Sequence, residues 1–457
     1  MKYKNTISLI YEMNKKQRNI NKMLDLNSED LKIIQSKKLK QIVKHAYENV
    51  DLYKEKYDKA GITPEDIHSI DDINKLPIIT KSELKSGYPD KVLAKNIDKN
   101  DCYIISTTGS TGVPLKIFYE KKDFIEDVAC TSPALVQKWT NRKIKKIITF
   151  LVRDINAAEE IFIRQIPKIF LRNFYFDNAL SNPKDQILAI QKFKPDVIFT
   201  YPSVLRNIVS ELQNNNIKIY HPKLILTTAE MLDKPTRELF SAFFDNTEFY
   251  DLYGTTEGGR AIECKNHNGL HIFAWNNIIE ILDEQGKRLP DGSSGRIVFT
   301  NLYSKATPVI RYSGLGDLAV MNNKPCSCGS NLPLLKRIEG RLIDSLILKN
   351  NKIVHPFNLT ILLQNISGIH KFQIRQEKIN KIRILIVENK NSNMANDVSY
   401  LFEENNEYKK KIINRFKDIL GKDVDIFFEK VDDIPLDGNS HKFRTVISTI
   451  NREIKNC

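Results

Sequence analysis

The sequence predicts an α/β protein, with a large N-terminal region built on parallel sheets covered by helices and a small α+β unit after it. Three observations lead to this. From about residue 145, the short apolar runs KIITFLV, DVIFTY, LILTTA and EFYDLYG alternate with segments of helical periodicity such as PSVLRNIVSELQNN and DKPTRELFSAFF. Alternation of this kind builds a parallel sheet with helices on its faces. After residue 275 the texture turns antiparallel, with NIIEILDEQGKRLPDGSSGRIVFTNL reading as a hairpin whose turns carry Gly, Pro and Asp. Beyond EGR, residues 339–341, the segments FQIRQE, IRILIVE, EYKKKIINRFKDIL and DIFFEKV read as strand, strand, helix and strand. The division is therefore set near residue 341: residues 1–340 form the large domain, helical over about 1–85, and residues 341–457 the small one.

Taken in order, Ser28 is positioned to cap a helix over EDLKIIQSKKLKQIVKHAYENV, where apolar residues recur at helical spacing. DDINKLPIITKSELKSG, with Pro77 and Lys81, is a connector into the core. Then comes STTGSTGVP, residues 106–114, between the apolar strands CYIIS and LKIFY. Hydroxyls and glycines in this density suit either a linker or a loop that wraps a phosphate with amides and side-chain donors. Its place between two ordered strands favours the phosphate loop, and the Walker pattern GxxxxGK[ST] is absent. In the parallel part, ligands bind beyond the strand C-termini. That makes TYPS, TTAE and YGTTEGG site candidates by position.

Composition narrows the function. The formal net charge is +14, but the basic residues are spread along the chain rather than gathered in an arm or interleaved with aromatics. This is a background of Lys, Asn and Ile rather than a nucleic-acid footprint, and it leaves a general attraction for anionic substrates. No apolar run approaches the ~18 residues of a membrane helix, and the N-terminus lacks a secretory pattern. A cytoplasmic location is expected. The six cysteines are too scattered for a secreted disulfide framework.

The ordered set STTGSTGVPLK, TYPS, TTAEML, YDLYGTTEGG, VIRYSGLGDLA, CSCGSNLPLLKRIEGRLIDSLIL and GNSHKFRTVIS resembles the adenylate-forming superfamily of acyl-CoA synthetases. It is most similar to the phenylacetate–CoA ligase-like branch, which includes many proteins of capsule and surface-polysaccharide clusters. The resemblance covers nearly the whole chain. It implies a large adenylation domain with a small β-barrel-like part, a mobile C-terminal lid, and a two-step reaction. A carboxylate attacks the α-phosphate of Mg-ATP to give an acyl adenylate and pyrophosphate, and CoA or an amine then displaces AMP.

On this resemblance Ser106, Thr107, Thr108, Gly109, Ser110, Thr111 and Gly112 cradle the β- and γ-phosphates. Tyr253 stacks on adenine, with Gly254 and Thr255 beside it, Thr256 reaches the α-phosphate, and Glu257 holds Mg²⁺, a metal suited to hard oxygen ligands. Asp317 takes both ribose hydroxyls, and Ala229 and Glu230 line the adenine face. Arg341 belongs to the hinge segment EGRLID, in which Asp344 matches the second acid of a usual pair and Ile343 stands where the first is common. Lys442 matches the mobile lysine that bridges substrate carboxylate and α-phosphate, and LKNNKIVHP lacks a glycine often found in the stretch facing CoA.

Two further readings stand beside these. Cys264, His271, Cys326 and Cys328 would make a Cys₃His set for a structural Zn²⁺, with His267 as the competing imidazole and reduced buried thiols as the alternative. The activated acid would go to CoA or to an amine of a sugar or amino acid. A chain that keeps the fold as a non-catalytic nucleotide-binding scaffold is the reading from another class.

Overall fold

The computed structural model describes residues 6–106, 115–129, 132–151, 171–232, 234–322, 324–341, 344–349, 353–354, 356–364, 366, 368–388, 398–435 and 443–450. The N-terminal region is helical, as expected, through Thr6–Met23, Ser28–Asn49, Asp51–Ala60 and Lys81–Ser86. The second helix is held by the stripe Leu31, Gln35, Leu39, Ile42, Val43 and Ala46, all buried at the three- and four-residue spacing of one helix face. Its cap is Asn27 rather than Ser28: Asn27 Oδ1 accepts from the Asp30 backbone N–H at 2.8 Å, so the chain turns helical one residue earlier than read.

The strands flanking STTGSTGVP are β1 (Cys102–Ser106) and β2 (Lys116–Glu120), paired antiparallel from Cys102↔Glu120 to Ser106↔Lys116. The predicted alternation follows as β3 (Ile147–Leu151), β4 (Phe174–Asn178), β5 (Val197–Thr200), β6 (Leu224–Thr228) and β7 (Glu248–Gly254), with β4, β3, β5, β6 and β7 adjacent and parallel. Helices Pro183–Phe193, Pro202–Asn215 and Lys234–Ser241 lie between them in sequence. Val204, Leu205, Ile208, Val209 and Leu212 bury one face of the second helix against Ile148, Phe150, Ile198 and Ile225 of the sheet.

The antiparallel part continues with β8 (Arg260–Glu263), β9 (Leu270–Ile272), β10 (Asn277–Leu282), β11 (Ser294–Asn301), β12 (Asp317–Asn322) and β13 (Leu334–Arg341). The expected hairpin is β10–β11, in register from Asn277↔Asn301 to Leu282↔Arg296. The sequence reading separated a barrel-like part from the parallel strands. Among the described residues β8 pairs β7, β9 pairs β8, and β13 pairs β9, so eleven strands run as one mixed sheet. The N-terminal helices cover its antiparallel half, where Leu39, Ile42, Val43, Tyr53 and Tyr57 share a core with Ile278, Ile297 and Phe299.

One buried ion pair ties these layers together. Arg311, at φ 48°, sends Nε and Nη2 to the two oxygens of Glu280 at 3.0 and 2.9 Å, and Nη1 to the carbonyls of Asn74 and Leu76 at 3.1 and 2.6 Å. Both side chains are about 95% buried. Glu280→Ala leaves a guanidinium stranded in the core and is expected to cost about 3–5 kcal/mol of unfolding free energy, read from urea midpoints. A loss below ~1 kcal/mol would show that the carbonyls alone satisfy Arg311.

The last strands are two short ones, β14 (Leu346–Ile347) and β15 (Ile353–Val354), then β16 (Ile369–Lys378), β17 (Lys381–Glu388), β18 (Asp425–Lys430) and β19 (Val446–Ser448). The final four form a sheet in the order β18-β17-β16-β19. Phe416 and Leu420 of helix Glu407–Leu420 share a core with Ile374, Ile382, Ile384 and Ile386, giving the small α+β unit read from the sequence.

Candidate active site

The parallel strands deliver their C-terminal ends to one edge of the sheet, where Ala229 and Glu230 follow β6 and Tyr253 to Glu257 end and follow β7. After β7 the chain turns through Thr255–Gly259 and returns as β8, with Gly254 opposite Arg260. Thr255 builds this turn. Its N–H donates to the Gly259 carbonyl at 3.0 Å, its Oγ1 accepts from the Gly259 N–H at 2.9 Å, and its own carbonyl accepts from Arg260 Nη1 at 2.6 Å. Gly258 sits at φ +98°, where a Cβ would lie 2.3 Å from Asn301 Nδ2 and 2.7 Å from the Tyr119 hydroxyl. No other residue fits that position. Asn301 Nδ2 also donates to the Glu257 carbonyl at 3.0 Å. With Thr255 spent on the turn, half-buried Thr256 and buried Glu257 are the side chains it presents.

Across the sheet, β12 begins at Asp317, and the Tyr253 hydroxyl donates to Asp317 Oδ2 at 2.7 Å. Asp317 pairs in register with Arg341 at the end of β13, and Arg341 Nε lies 3.8 Å from Asp317 Oδ1. Burial, with Asp317's charge beside it, holds the Tyr253 phenol well above its ordinary range. Burial likewise pushes the Glu257 carboxyl up to about 7, aided by Asp317 and opposed by Lys81.

Lys81 was placed only in a connector by the sequence, yet it belongs to this site. Thr80 and Glu83 form a capping box at the start of helix Lys81–Ser86. Ile79 hydrogen-bonds Arg311 and Ser313, both at 2.9 Å, which fixes the helix start against the sheet. Burial holds the Lys81 ammonium below the ordinary lysine range against the pull of Glu257, with Lys85 and Arg341 adding to the lowering. The sequence signal for it was the cap pattern after an apolar Ile79; its nearness in charge to Glu257 depends on the sheet.

At the end of β6, Ala229 takes a left-handed φ of 66°, uncommon for a residue with a side chain. It turns Glu230 toward β5. Glu230 accepts from Ser203 N and Oγ, each at 2.8 Å, at the start of helix Pro202–Asn215, and from Phe443 N at 3.2 Å. A carboxylate there also complements the helix's N-terminal dipole. The segment just after Lys442 is therefore pinned to the strand ends. Arg444 Nε bonds Asp344 Oδ1 at 2.9 Å, and Arg206 Nη1 donates to the His370 carbonyl at 2.6 Å. Asp344 is the acid that the hinge motif matched.

Ser106 ends β1 opposite Lys116, exposed. Thr107, Thr108, Gly109, Ser110, Thr111 and Gly112, with Ile343 and Lys442, lie outside the described residues. The β1–β2 pair that flanks the loop still reaches the site, since the Tyr119 hydroxyl of β2 donates to the Thr256 carbonyl at 3.5 Å. Glu257 supplies hard carboxylate oxygens, with the Lys81 charge acting on it, a donor that fits Mg²⁺ beside phosphates. In the antiparallel half, Cys264, His271, Cys326 and Cys328 converge, their ligand atoms all within 4.8 Å of one another.

Residues 172–302 match the family model of AMP-binding enzymes, and residues 346–449 that of the CapK C-terminal domain. The chain is 26% identical over 370 residues to the phenylacetate-coenzyme A ligase of Thermus thermophilus, covering 77% of this chain and 80% of that protein. It is 27% identical over 336 residues to the phenylacetate-coenzyme A ligase of Escherichia coli, covering 70% and 73%. To Protein CapK of Staphylococcus aureus it is 25% identical over 418 residues, covering 89% and 87%. The fold superposes on a 2-hydroxyisobutyryl-CoA ligase in the postadenylation state with a TM-score of 0.76 at 16% identity, covering 94% of this chain and 92% of that one. Against the same ligase in the thioesterification state the TM-score is 0.61.

Proposed function

The chain belongs to the adenylate-forming superfamily, in its phenylacetate–CoA ligase-like and CapK branch, and we propose that it is an ATP-dependent, AMP-forming carboxylate ligase that passes its acyl group to CoA. The observation that carries this reading is the Tyr253–Asp317 contact at 2.7 Å beside Glu257, on the edge where the parallel strands end. A nucleotide laid on that edge meets an aromatic face, a carboxylate able to accept from two vicinal hydroxyls, and an acid able to take a metal.

A carboxylate is a poor acyl donor because its oxygen leaves badly, and joining it to AMP cures this. Negative charge accumulates on the α-phosphoryl group as the acid attacks and pyrophosphate departs. Positively polarised donors lower that barrier: the Thr256 hydroxyl, the Lys81 ammonium and, from the C-terminal unit, Lys442. Glu257 would hold Mg²⁺, which when bound would supply charge neutralisation at the phosphates. The loop Ser106 to Gly112 receives the outer phosphates through its amides and hydroxyls.

The alternative acceptor is an amine on a sugar or amino acid. No helix of the described residues is long and apolar enough to cross a membrane, and dependence on ATP and CoA supports work in the cytoplasm.

The test is acid-dependent ATP–pyrophosphate exchange across aryl, fatty, amino and sugar acids, followed by AMP release with CoA or amines. At least one acid is expected to drive exchange, and CoA to accelerate AMP release. Restoration by an amine where CoA fails would move the acceptor assignment. ATP binding without exchange for any acid would leave a scaffold.

A further inference from the structure

We propose that Cys264, His271, Cys326 and Cys328 bind one Zn²⁺ ion in a closed structural site that fastens the β12–β13 loop to the β8–β9 turn. The chain builds this cluster from both sides. Cys264 follows β8, and the Cys264 N–H donates to the Gly269 carbonyl at 2.8 Å to close the turn into β9. Since Ile262 faces His271 in register, Cys264, two residues on, points to the same face as that imidazole. Gly269, at φ +137°, lets β9 approach β13 where a Cβ would lie 2.2 Å from the Leu335 carbonyl. β13 pairs Leu334 with His271, which brings in the loop carrying Cys326 and Cys328.

The four donors are already poised. Cys264 Sγ lies 3.4 Å from Cys326 Sγ, and His271 Nε2 lies 3.2 Å from Cys328 Sγ. A tetrahedron with Zn–S and Zn–N bonds of about 2.3 and 2.0 Å has edges of roughly 3.5–3.8 Å, close to these separations. His271 Nδ1 donates to the Leu332 carbonyl at 2.8 Å, which fixes the tautomer and leaves the Nε2 lone pair directed at the thiols. The Asn266 N–H points at Cys264 Sγ at 3.3 Å, a donor suited to a thiolate. His267, whose Nδ1 is bound to Glu263 Oε1 at 2.9 Å, is not among the four residues whose ligand atoms converge.

Three thiolates and an imidazole are a soft set with no position left for water or substrate, the pattern of structural zinc. The site is also remote from chemistry within the sheet. It follows the Glu263 end of β8, whereas the nucleotide edge is at the Arg260 end. The clamped loop in turn holds the N-terminal helices, since Asn331 Nδ2 donates to the Leu26 carbonyl at 3.2 Å between the first two of them. Binding takes the protons off the thiols and adds no redox step.

The experiment is elemental analysis of the full chain purified without added metal, with mercurial release into a colorimetric zinc indicator. About one zinc per chain is expected, released as the thiols are titrated, and a Co²⁺-exchanged sample should show tetrahedral d–d and thiolate charge-transfer bands. Hydrogen exchange of residues 324–332 should rise once metal is removed. Cys328→Ser should lose the zinc while Cys102→Ser keeps it. Less than ~0.1 zinc per chain with no uptake from equimolar Zn²⁺ under reducing conditions would overturn the site. A Cys264–Cys326 disulfide in the freshly isolated protein, or a Co²⁺ spectrum without thiolate bands, would do the same. The spectroscopic arm uses the unaltered protein, so a variant that fails to fold leaves the proposal testable.

Discussion

Replacing Glu257 with Gln is expected to lower kcat/KM for Mg-ATP by about 10²–10³-fold, the scale of losing one fixed charge at a phosphoryl transition state. The variant is also expected to lose a limb of the pH profile. Burial pushes the Glu257 carboxyl up to about 7, so near neutrality a sizeable fraction of the free protein carries a proton where the proposed Mg²⁺ would bind. Mg²⁺ takes the carboxylate, hence the wild-type logarithm of kcat/KM should rise with slope +1 toward about pH 7 and then level. Substrate ionisations persist in both proteins, so only the part that vanishes in Glu257→Gln belongs to this residue. The stability effect has the opposite sense. A carboxyl raised from 4.5 in the unfolded chain stabilises the fold fully below that pH and loses its contribution as pH rises through about 7. The Gln variant should therefore match wild type near pH 4.5 and gain on the order of 1–3 kcal/mol above pH 7. A dead enzyme that melts higher at pH 8 separates a catalytic loss from a folding loss. A variant that keeps the acid limb would remove Glu257 from the metal.

Much of this site was legible in the residues because its chemistry is local. YGTTEGG closes its own turn, Asp317 follows a glycine at a strand start, and the apolar runs before each turn have strand length, so position at a sheet edge followed from alternation alone. What the chain order hid is what only the sheet creates. Lys81 is 176 residues from Glu257 in sequence, and its charge comes to act on that carboxyl because Ile79 docks on Arg311 and Ser313. Thr255 and Thr256 are indistinguishable as letters. The hydrogen bonds to Gly259 assign the first to the turn and leave the second as the one proposed to meet the α-phosphate. Glu230 reads as part of the adenine face, and the sequence does not show that its oxygens also accept from Ser203 and Phe443. The single mixed sheet was hidden for the same reason: a β7–β8 reversal reads as an ordinary hairpin, whichever sheet it extends.

Lys442→Ala is expected to depress acid-dependent ATP–pyrophosphate exchange by about 10²–10³-fold, while CoA attack on a supplied acyl adenylate stays within a few-fold of wild type. The asymmetry follows from charge. Adenylation concentrates negative charge between the attacking carboxylate and the α-phosphate, where one mobile ammonium acts on both, whereas thioester formation expels AMP and has no such demand. Lys442→Arg should recover little, because a planar fork cannot replace a point charge on a flexible stem. The neighbouring geometry supplies an independent check. Phe443 N is bound to Glu230 and Arg444 to Asp344, so the residues that follow Lys442 are held by contacts that are not themselves catalytic. Glu230→Ala breaks the first anchor without touching the ammonium. It should lower the same half-reaction by about tenfold, through the population of the docked arrangement rather than the chemistry within it. Added acid or ATP should restore part of the Glu230→Ala rate and none of the Lys442→Ala rate. If both half-reactions fall together in Lys442→Ala, the residue serves the fold or the nucleotide alone, and the bridging role is lost with it.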